Sequence, residues 1–302
     1  MKVLNIGSLN LDYVYQVEHF VRPGETLSAL SQSVNPGGKG LNQSIALARA
    51  GAQVFHAGCL GRGGETLKSL LEENGVDTSL LQPVDQIQGN AVIQVNREGQ
   101  NCILLFGGSN RCLSPEQIDR ALEAFSREDI LVLQNEVNDL PRIVDKAYAR
   151  GMQIVLNPSP YDDGLRNVDF GKLSWIFVNE VEAAQISGSE NPDQAWLRLH
   201  QAYPKLSVLI TLGSAGSVAW RVEGEQVIHQ RQEVFPVTAV DTTAAGDTYT
   251  GFFIGGLLDR LPLRECMRRA SMASAISVQR PGAASSIPLI AEVERALCMA
   301  DS

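Results

Sequence analysis

Four short apolar runs, each closed by polar or turn residues, constrain this chain more than anything else in it. They are Ile130-Leu131-Val132-Leu133 before Gln134-Asn135-Glu136, Ile154-Val155-Leu156 before Asn157-Pro158-Ser159, Trp175-Ile176-Phe177-Val178 before Asn179-Glu180, and Val208-Leu209-Ile210-Thr211 before Leu212-Gly213-Ser214. Helical patterning separates them, at about 139–149, 180–187 and 192–202. A strand that is apolar at every position must be covered on both faces. Such strands alternating with helices predict an α/β fold with a doubly wound, mostly parallel sheet and helices on both faces. Ligands in these sheets bind beyond the carboxyl ends of the strands, so the polar residues that close each run are site candidates. The tight turn Gly213-Ser214-Ala215-Gly216 into Ser217-Val218-Ala219-Trp220 predicts an antiparallel pair at the sheet edge.

The N-terminal run Val3-Leu4-Asn5-Ile6-Gly7-Ser8 reads as a further core strand. Asn10 and Asp12 follow, alternating with Leu9, Leu11 and Tyr13. Residues two apart in an extended chain share a face, so both polar side chains are expected to face a ligand together. Segments 12–17 and 28–34 read as short strands outside the main core, and 90–96 with 101–106 as a hairpin around Arg97-Glu98-Gly99-Gln100. Together they predict a small separate sheet of about four strands, which needs a partner over one face to be stable.

Gly-rich stretches punctuate the rest. Asn35-Pro36-Gly37-Gly38-Lys39-Gly40-Leu41-Asn42-Gln43 leads into an expected helix at Ser44–Ala50, but Lys39 is followed by Gly, so this is no Walker A loop. Gly58–Gly64 reads as another turn, before an amphipathic helix from about Thr66 to Glu73. Ser114-Pro115-Glu116-Gln117 has the N-cap and Pro of a helix start, running to about Ser126. Asn179 and Glu182 have the spacing of a capping box, which accounts for them without a ligand. Glu136 is harder to dismiss, because a carboxylate directly after a core strand is seldom buried without a partner.

The most pointed stretch is Asp241-Thr242-Thr243-Ala244-Ala245-Gly246-Asp247-Thr248, opening an apolar helix through Leu258. Small residues at a helix start let an anion approach unpaired N–H groups, and the helix dipole adds about half a positive charge there. Asp247 in that turn suits a base that takes a proton from whatever attacks the anion, although helix capping by Asp241 or Asp247 would also explain an Asp there. With a formal net charge of −9, nucleic acid and anionic membranes are poor partners, so a phosphate must be held locally. Five cysteines without a C-x-x-C spacing suggest neither a disulfide framework nor a zinc site. The N-terminus turns polar too early for a signal peptide, and no run reaches the about 18 apolar residues of a membrane span, so a cytoplasmic protein is expected.

Taken together, the motifs Gly7-Ser8-Leu9-Asn10-Leu11-Asp12, Pro36–Gln43, Asp241–Thr248 and Gly282–Pro288 resemble the ribokinase-like, phosphofructokinase-B-type carbohydrate kinases over nearly the whole chain. That resemblance implies a single kinase domain, residues 1–302, with lid strands at approximately 12–34 and 90–106 inserted in it. It implies an ATP-dependent transfer of phosphate to a primary hydroxyl of a pentose, D-ribose foremost. Another sugar or a nucleoside is the alternative, and a sugar-binding protein without catalysis the next. By the same resemblance Asp247 matches the catalytic base, and Ala244, Ala245 and Gly246 the anion hole. Asn10, Asp12, Gly38, Lys39, Asn42 and Glu136 match the sugar-binding residues. Asn179 and Glu182 match the residues acting on Mg²⁺ and phosphate, and Thr211, Gly213 and Gly216 nucleotide-site residues, with Asn179 also on that side. Asp241, Thr243, Ser277, Arg280, Gly282 and Ser286 align with loops that carry a monovalent cation, K⁺. The small sheet matches the family's lid, through which a homodimer is expected.

Overall fold

The computed structural model describes residues 1–301. In chain order the strands are β1 (Val3–Ile6), β2 (Asn10–Gln16), β3 (Ser31–Gly37), β4 (Val54–Arg62), β5 (Asp77–Ile87), β6 (Asn90–Val95), β7 (Asn101–Phe106), β8 (Ile130–Gln134), β9 (Gln153–Asn157), β10 (Trp175–Asn179), β11 (Ser207–Thr211), β12 (Ser217–Glu223) and β13 (Gln226–Gln232). The helices are α1 (Lys39–Arg49), α2 (Glu65–Glu73), α3 (Pro115–Glu123), α4 (Leu140–Ala149), α5 (Glu180–Ser187), α6 (Pro192–Ala202), α7 (Ala245–Leu258), α8 (Leu263–Ser277) and α9 (Ile290–Ala300).

Nine strands form the main sheet in the order β13-β12-β11-β10-β9-β8-β1-β4-β5, parallel except for the antiparallel edge pairs of β12. The mixed α/β architecture is the expected one. β1 pairs in parallel with both β4 and β8, and the chain builds outward from it in opposite directions. The connections at the carboxyl ends of β1 and β8 therefore diverge and open a crevice, the place where such sheets take ligands. Ser8 follows β1 and Glu136 follows β8, so both line that crevice.

Alternation along the strands divides the core in two. Leu4, Ile6, Leu131 and Leu133 join the layer under α3 to α6, while Val3, Ile130 and Val132 join the layer under α1, α2, α7, α8 and α9. Phe252 and Phe253 of α7 are fully buried, and Phe253 meets Trp175 and Phe177 edge-to-face at 5.2 and 5.1 Å. Each such side chain contributes about 1.5–3 kcal/mol by burial. α7 also lies directly on α1, since a Cβ at Gly251 would fall 2.4 Å from Ala46 Cβ. This backbone-close contact fixes the middle of α7 against α1.

The second sheet has the order β3-β2-β6-β7, the four strands expected for the lid. Only Gly7–Leu9 separates β1 from β2, and only Gly38 separates β3 from α1. Three local expectations are corrected. The stretch 58–64 is mostly strand β4 rather than a turn; its glycines serve close approach, a Cβ at Gly58 falling 2.8 Å from the Gly7 carbonyl. α1 starts at Lys39, five residues before the expected Ser44, with Gly38 as N-cap at φ 95°. β5 and β13 were not foreseen; they are the edge strands, polar and largely exposed.

Candidate active site

The early start of α1 puts the Gly38-Lys39-Gly40 backbone, rather than a loop, at the crevice. No side chain of its own caps the helix. Glu136 Oε2 accepts from the Lys39 N–H at 3.2 Å and from the Ser8 hydroxyl, whose Oγ accepts in turn from the Gly40 N–H at 3.2 Å. A carboxylate thus caps the positive end of α1 from another strand, a favourable placement. Burial raises the Glu136 pKa above the carboxylate range, against the lowering pull of the Lys39 charge and the Ser8 and Lys39 N–H bonds.

Asn10 and Asp12 do share a face of β2, as their alternation predicted, but in different settings. Asn10 is buried, its Oδ1 accepting from Asn110 Nδ2 at 2.7 Å, while Asn110 Oδ1 accepts from the Leu9 N–H at 3.0 Å. Asp12 lies against Gly37, where any Cβ would overlap its carboxylate. Burial, then the charge of Glu136, pushes the Asp12 pKa up to about 6. A carboxyl raised above its unfolded value of 3.8 costs stability above pH 6 and nothing once pH falls below 3.8. Asp12→Asn is therefore expected to raise Tm by about 2–4 °C at pH 8, the effect of roughly 1 kcal/mol, and by nothing near pH 3.5. Calorimetry at both values checks this; an equal shift at both would show that the carboxyl is not strained by its site.

Asp247 is the third residue of α7 and is buried. It caps nothing: the N-cap is Ala244, which makes no side-chain cap bond. Instead Asn42 Nδ2 donates to Asp247 Oδ2 at 3.1 Å and Gln43 Nε2 to Oδ1 at 2.9 Å. Asn42 Oδ1 is buried with no partner among the described residues, an uncommon state for a buried acceptor. Ala244 holds φ 59°, a left-handed conformation that costs an ordinary residue about 1–3 kcal/mol. Within that bend the Ala245 N–H donates to the Thr242 carbonyl at 3.2 Å, while the N–H groups of Gly246 and Asp247 have no intrahelical acceptor. Lys39 is the cation among these groups. Burial works to lower its pKa, but the charges of Asp247, Glu136 and Glu182 outweigh this and hold it above the usual lysine value.

On the other side, Asn179 and Glu182 form the anticipated capping box, with bonds of 3.1 and 2.8 Å. Both also line a cavity of about 360 Å³ with Lys39, Gly246 and Asp247. Asn157 lines it too, with its Oδ1 buried and unpartnered; sequence reasoning placed it only generically at a strand end. Thr211 and Gly213 continue from there into a larger, mostly apolar cavity of about 440 Å³ that includes Gly216, Phe235 and Val278. Asn10 and Glu136 line a cavity of about 410 Å³ on the lid side, with Asn110, Leu105 and Phe106.

Of the cation-loop residues, the structure joins three. Asp241 accepts from the Thr243 N–H and, through its other oxygen, from the Gly282 N–H, both at 2.9 Å. Ser277 and Ser286 instead bond to each other at 2.8 Å in a buried hydroxyl pair, and the Arg280 guanidinium turns to Glu292 at 2.6 Å.

The crevice holds a lid-side pocket, a helix N-terminus with a carboxylate in its first turn, and an apolar slot, in that sequence along the strand ends. A site so ordered passes an anion between two bound molecules, which is the work of a phosphotransferase. The chain matches the model of the pfkB family carbohydrate kinases over residues 1–290. It is 36% identical to a ribokinase of Haemophilus influenzae over 296 residues, 94% of each chain. Ribokinase from Cryptococcus neoformans in complex with ADP superposes with a TM-score of 0.84 at 32% identity, covering 98% of this chain and 99% of that one. Arabidopsis thaliana ribokinase complexed with ribose and ATP gives 0.86 at 27% identity, covering 98% of both. The chain belongs to the pfkB family of carbohydrate kinases.

Proposed function

We propose that this chain transfers the γ-phosphoryl group of ATP to the primary hydroxyl of D-ribose. The observation that carries this is Asp247, buried at the head of α7 with both oxygens held by amides, on the wall of the cavity of about 360 Å³ that adjoins the apolar slot. Asn10, Asp12, Gly38, Lys39, Asn42 and Glu136 hold the sugar hydroxyls. Asp247 takes the proton from the attacking hydroxyl as its oxygen bonds to the γ-phosphorus and the bond to ADP breaks; such help is worth about 10²–10⁴ in rate. N–H groups of Ala244, Ala245 and Gly246, with Lys39, face the charge on the transferring group. Thr211, Gly213 and Gly216 lie along the nucleotide slot. Magnesium supplies charge neutralisation on the phosphates when bound; it commonly takes one or two carboxylates and completes its shell with phosphate and water, which suits Glu182 with Asn179 and Asn157. ADP release measured with ATP and Mg²⁺ over a panel of sugars and nucleosides tests the reading, D-ribose being expected to lead. A nucleoside acceptor is the second reading, favoured by Leu105 and Phe106 at the pocket rim, where a base could rest. A panel led by a nucleoside would replace the first reading with it.

A monovalent cation fits the knot that Asp241 makes between residues 241–243 and 282, because K⁺ prefers carbonyl and carboxylate oxygens of that kind. Turnover in KCl is expected to exceed that in tetramethylammonium chloride at equal ionic strength by about tenfold, the loss of one charged contact at the anion hole. Equal rates would remove the cation from the scheme. The lid serves as a dimer interface in this reading: Val34, Ile103, Leu104 and Phe106 are exposed apolar side chains on it. Leu104→Glu should convert a dimer to a monomer in sedimentation equilibrium. One kinase domain with the lid inserted, located in the cytosol, fits an ATP consumer in which no disulfide joins the cysteines among the described residues. Among the described residues, no helix is long and apolar enough to cross a membrane.

A further inference from the structure

Beneath the site runs a chain of amides whose polarity is set by one backbone carbonyl. Asn5 Nδ2 donates to the Gly40 carbonyl at 2.9 Å and to Ser44 Oγ at 2.8 Å. A carbonyl can only accept, so Asn5 must turn its Oδ1 the other way. Gln134 Nε2 donates to that Oδ1 at 3.0 Å and to Gln43 Oε1 at 2.7 Å. With its oxygen so engaged, Gln43 can present only its Nε2 to Asp247 Oδ1, at 2.9 Å. Asn5, Gln43, Ser44 and Gln134 are all fully buried, so water cannot relax this order.

Gln134 Oε1 meanwhile has no partner among the described residues. A buried acceptor left unmade is costly and uncommon, and marks a residue kept for something besides stability. Reversing Gln134 would set its oxygen against those of Asn5 and Gln43, and reversing Gln43 would set nitrogen against nitrogen at Gln134 and oxygen against the Asp247 carboxylate. Asn42, one residue earlier on α1, holds the other oxygen of Asp247.

We propose that Gln43, locked in one amide orientation by Gln134 and Asn5, is a positioning residue that aims the Asp247 carboxylate at the acceptor hydroxyl. This rests on Asp247 being the base. Gln43 touches neither sugar nor nucleotide in this scheme; its effect passes through Asp247 alone.

The test is steady-state kinetics on Asp247→Asn, Gln43→Met, Gln134→Met and the Gln43→Met/Asp247→Asn double variant, each with a thermal melt and an ADP-binding titration. Gln43→Met keeps the length of the side chain and removes the bond, so kcat should fall about tenfold while KM for sugar and ATP moves less than about threefold. Gln134→Met, farther from the substrates, should lower kcat by about two- to threefold, because Gln43 can then turn over. In the Asp247→Asn background Gln43→Met should remove nothing more, since residues that act through one another are not additive. Multiplicative losses in the double variant would overturn the proposal, as would an unchanged kcat in folded Gln43→Met. Should Gln43→Met fail to fold, an unchanged kcat in folded Gln134→Met overturns it equally. Normal turnover by Asp247→Asn would instead sink the base assignment itself. A slow Asp247→Asn beside a normal Gln43→Met would leave the base standing and discard the relay.

Discussion

Asp247→Asn should lose at least about 10²-fold in turnover while KM for the sugar changes far less. Asparagine keeps the shape and accepts one of the two amide bonds, but it cannot take a proton. Its amide group would also have to face Asn42 Nδ2 or Gln43 Nε2, a donor against a donor, so a small loss of Tm should accompany the rate loss. Helix capping predicts neither effect, and the structure gives α7 no such cap. Initial rates with ATP in excess, read beside a thermal melt, decide the matter. A folded variant with near-normal turnover would refute the base.

Lys39→Met should be the other severe change, and for a different reason. Asp247, Glu136 and Glu182 all bear on the Lys39 ammonium, and removing it leaves like charges facing one another in a buried site. A donor facing the transferring phosphoryl group is worth about 10²–10³ in rate, so kcat/KM should fall by at least that much. Stability should fall as well, in a pH-dependent way. Without Lys39 the folded-state pKa of Glu136, already raised by burial, rises further above its unfolded value, so the penalty is full above the folded pKa and shrinks as the proton binds. The Tm deficit should therefore be larger at pH 8 than at pH 5. Melts at the two pH values check the sign; a deficit that grows on acidification would mean that Lys39 is not the counter-ion of this cluster.

Much of this was legible before any coordinates. β8 to β11 declared themselves because central strands are apolar on both faces, and that pattern survives in a single sequence. The N-cap at Ser114 and the capping box at Asn179 were legible because their partners lie within one turn. What escaped has physical causes of its own. Edge strands β5 and β13 leave a face in water and carry no apolar run. The start of α1 hid inside glycines that ordinarily stop helices. Asn5 and Asn110 were invisible as site residues, and Gln134 was marked only as a polar residue closing a strand, because their partners are remote: Gln134 and Asn5 are 129 positions apart, and Asn110 and Asn10 are 100 apart. Neutral amides also leave no mark in charge or hydropathy. Gln43 stood within a quoted motif, yet nothing local distinguishes a glutamine that aims a base from one that merely follows an asparagine.

The attachment of the small sheet has a consequence for timing. Asn10 and Asp12 ride on β2, while Glu136, Lys39 and Asp247 belong to the main body. On the proposed reading, a sugar that satisfies both sets is itself the strap between the two bodies. A mere water molecule, or an acceptor missing one hydroxyl, reaches one set and leaves the other unclaimed. Selectivity would then be felt less in how tightly a compound is held than in how long the crevice stays shut. A poor acceptor would be released before ATP is committed, and idle consumption of the nucleotide would be held down by the same two side chains that recognise the sugar.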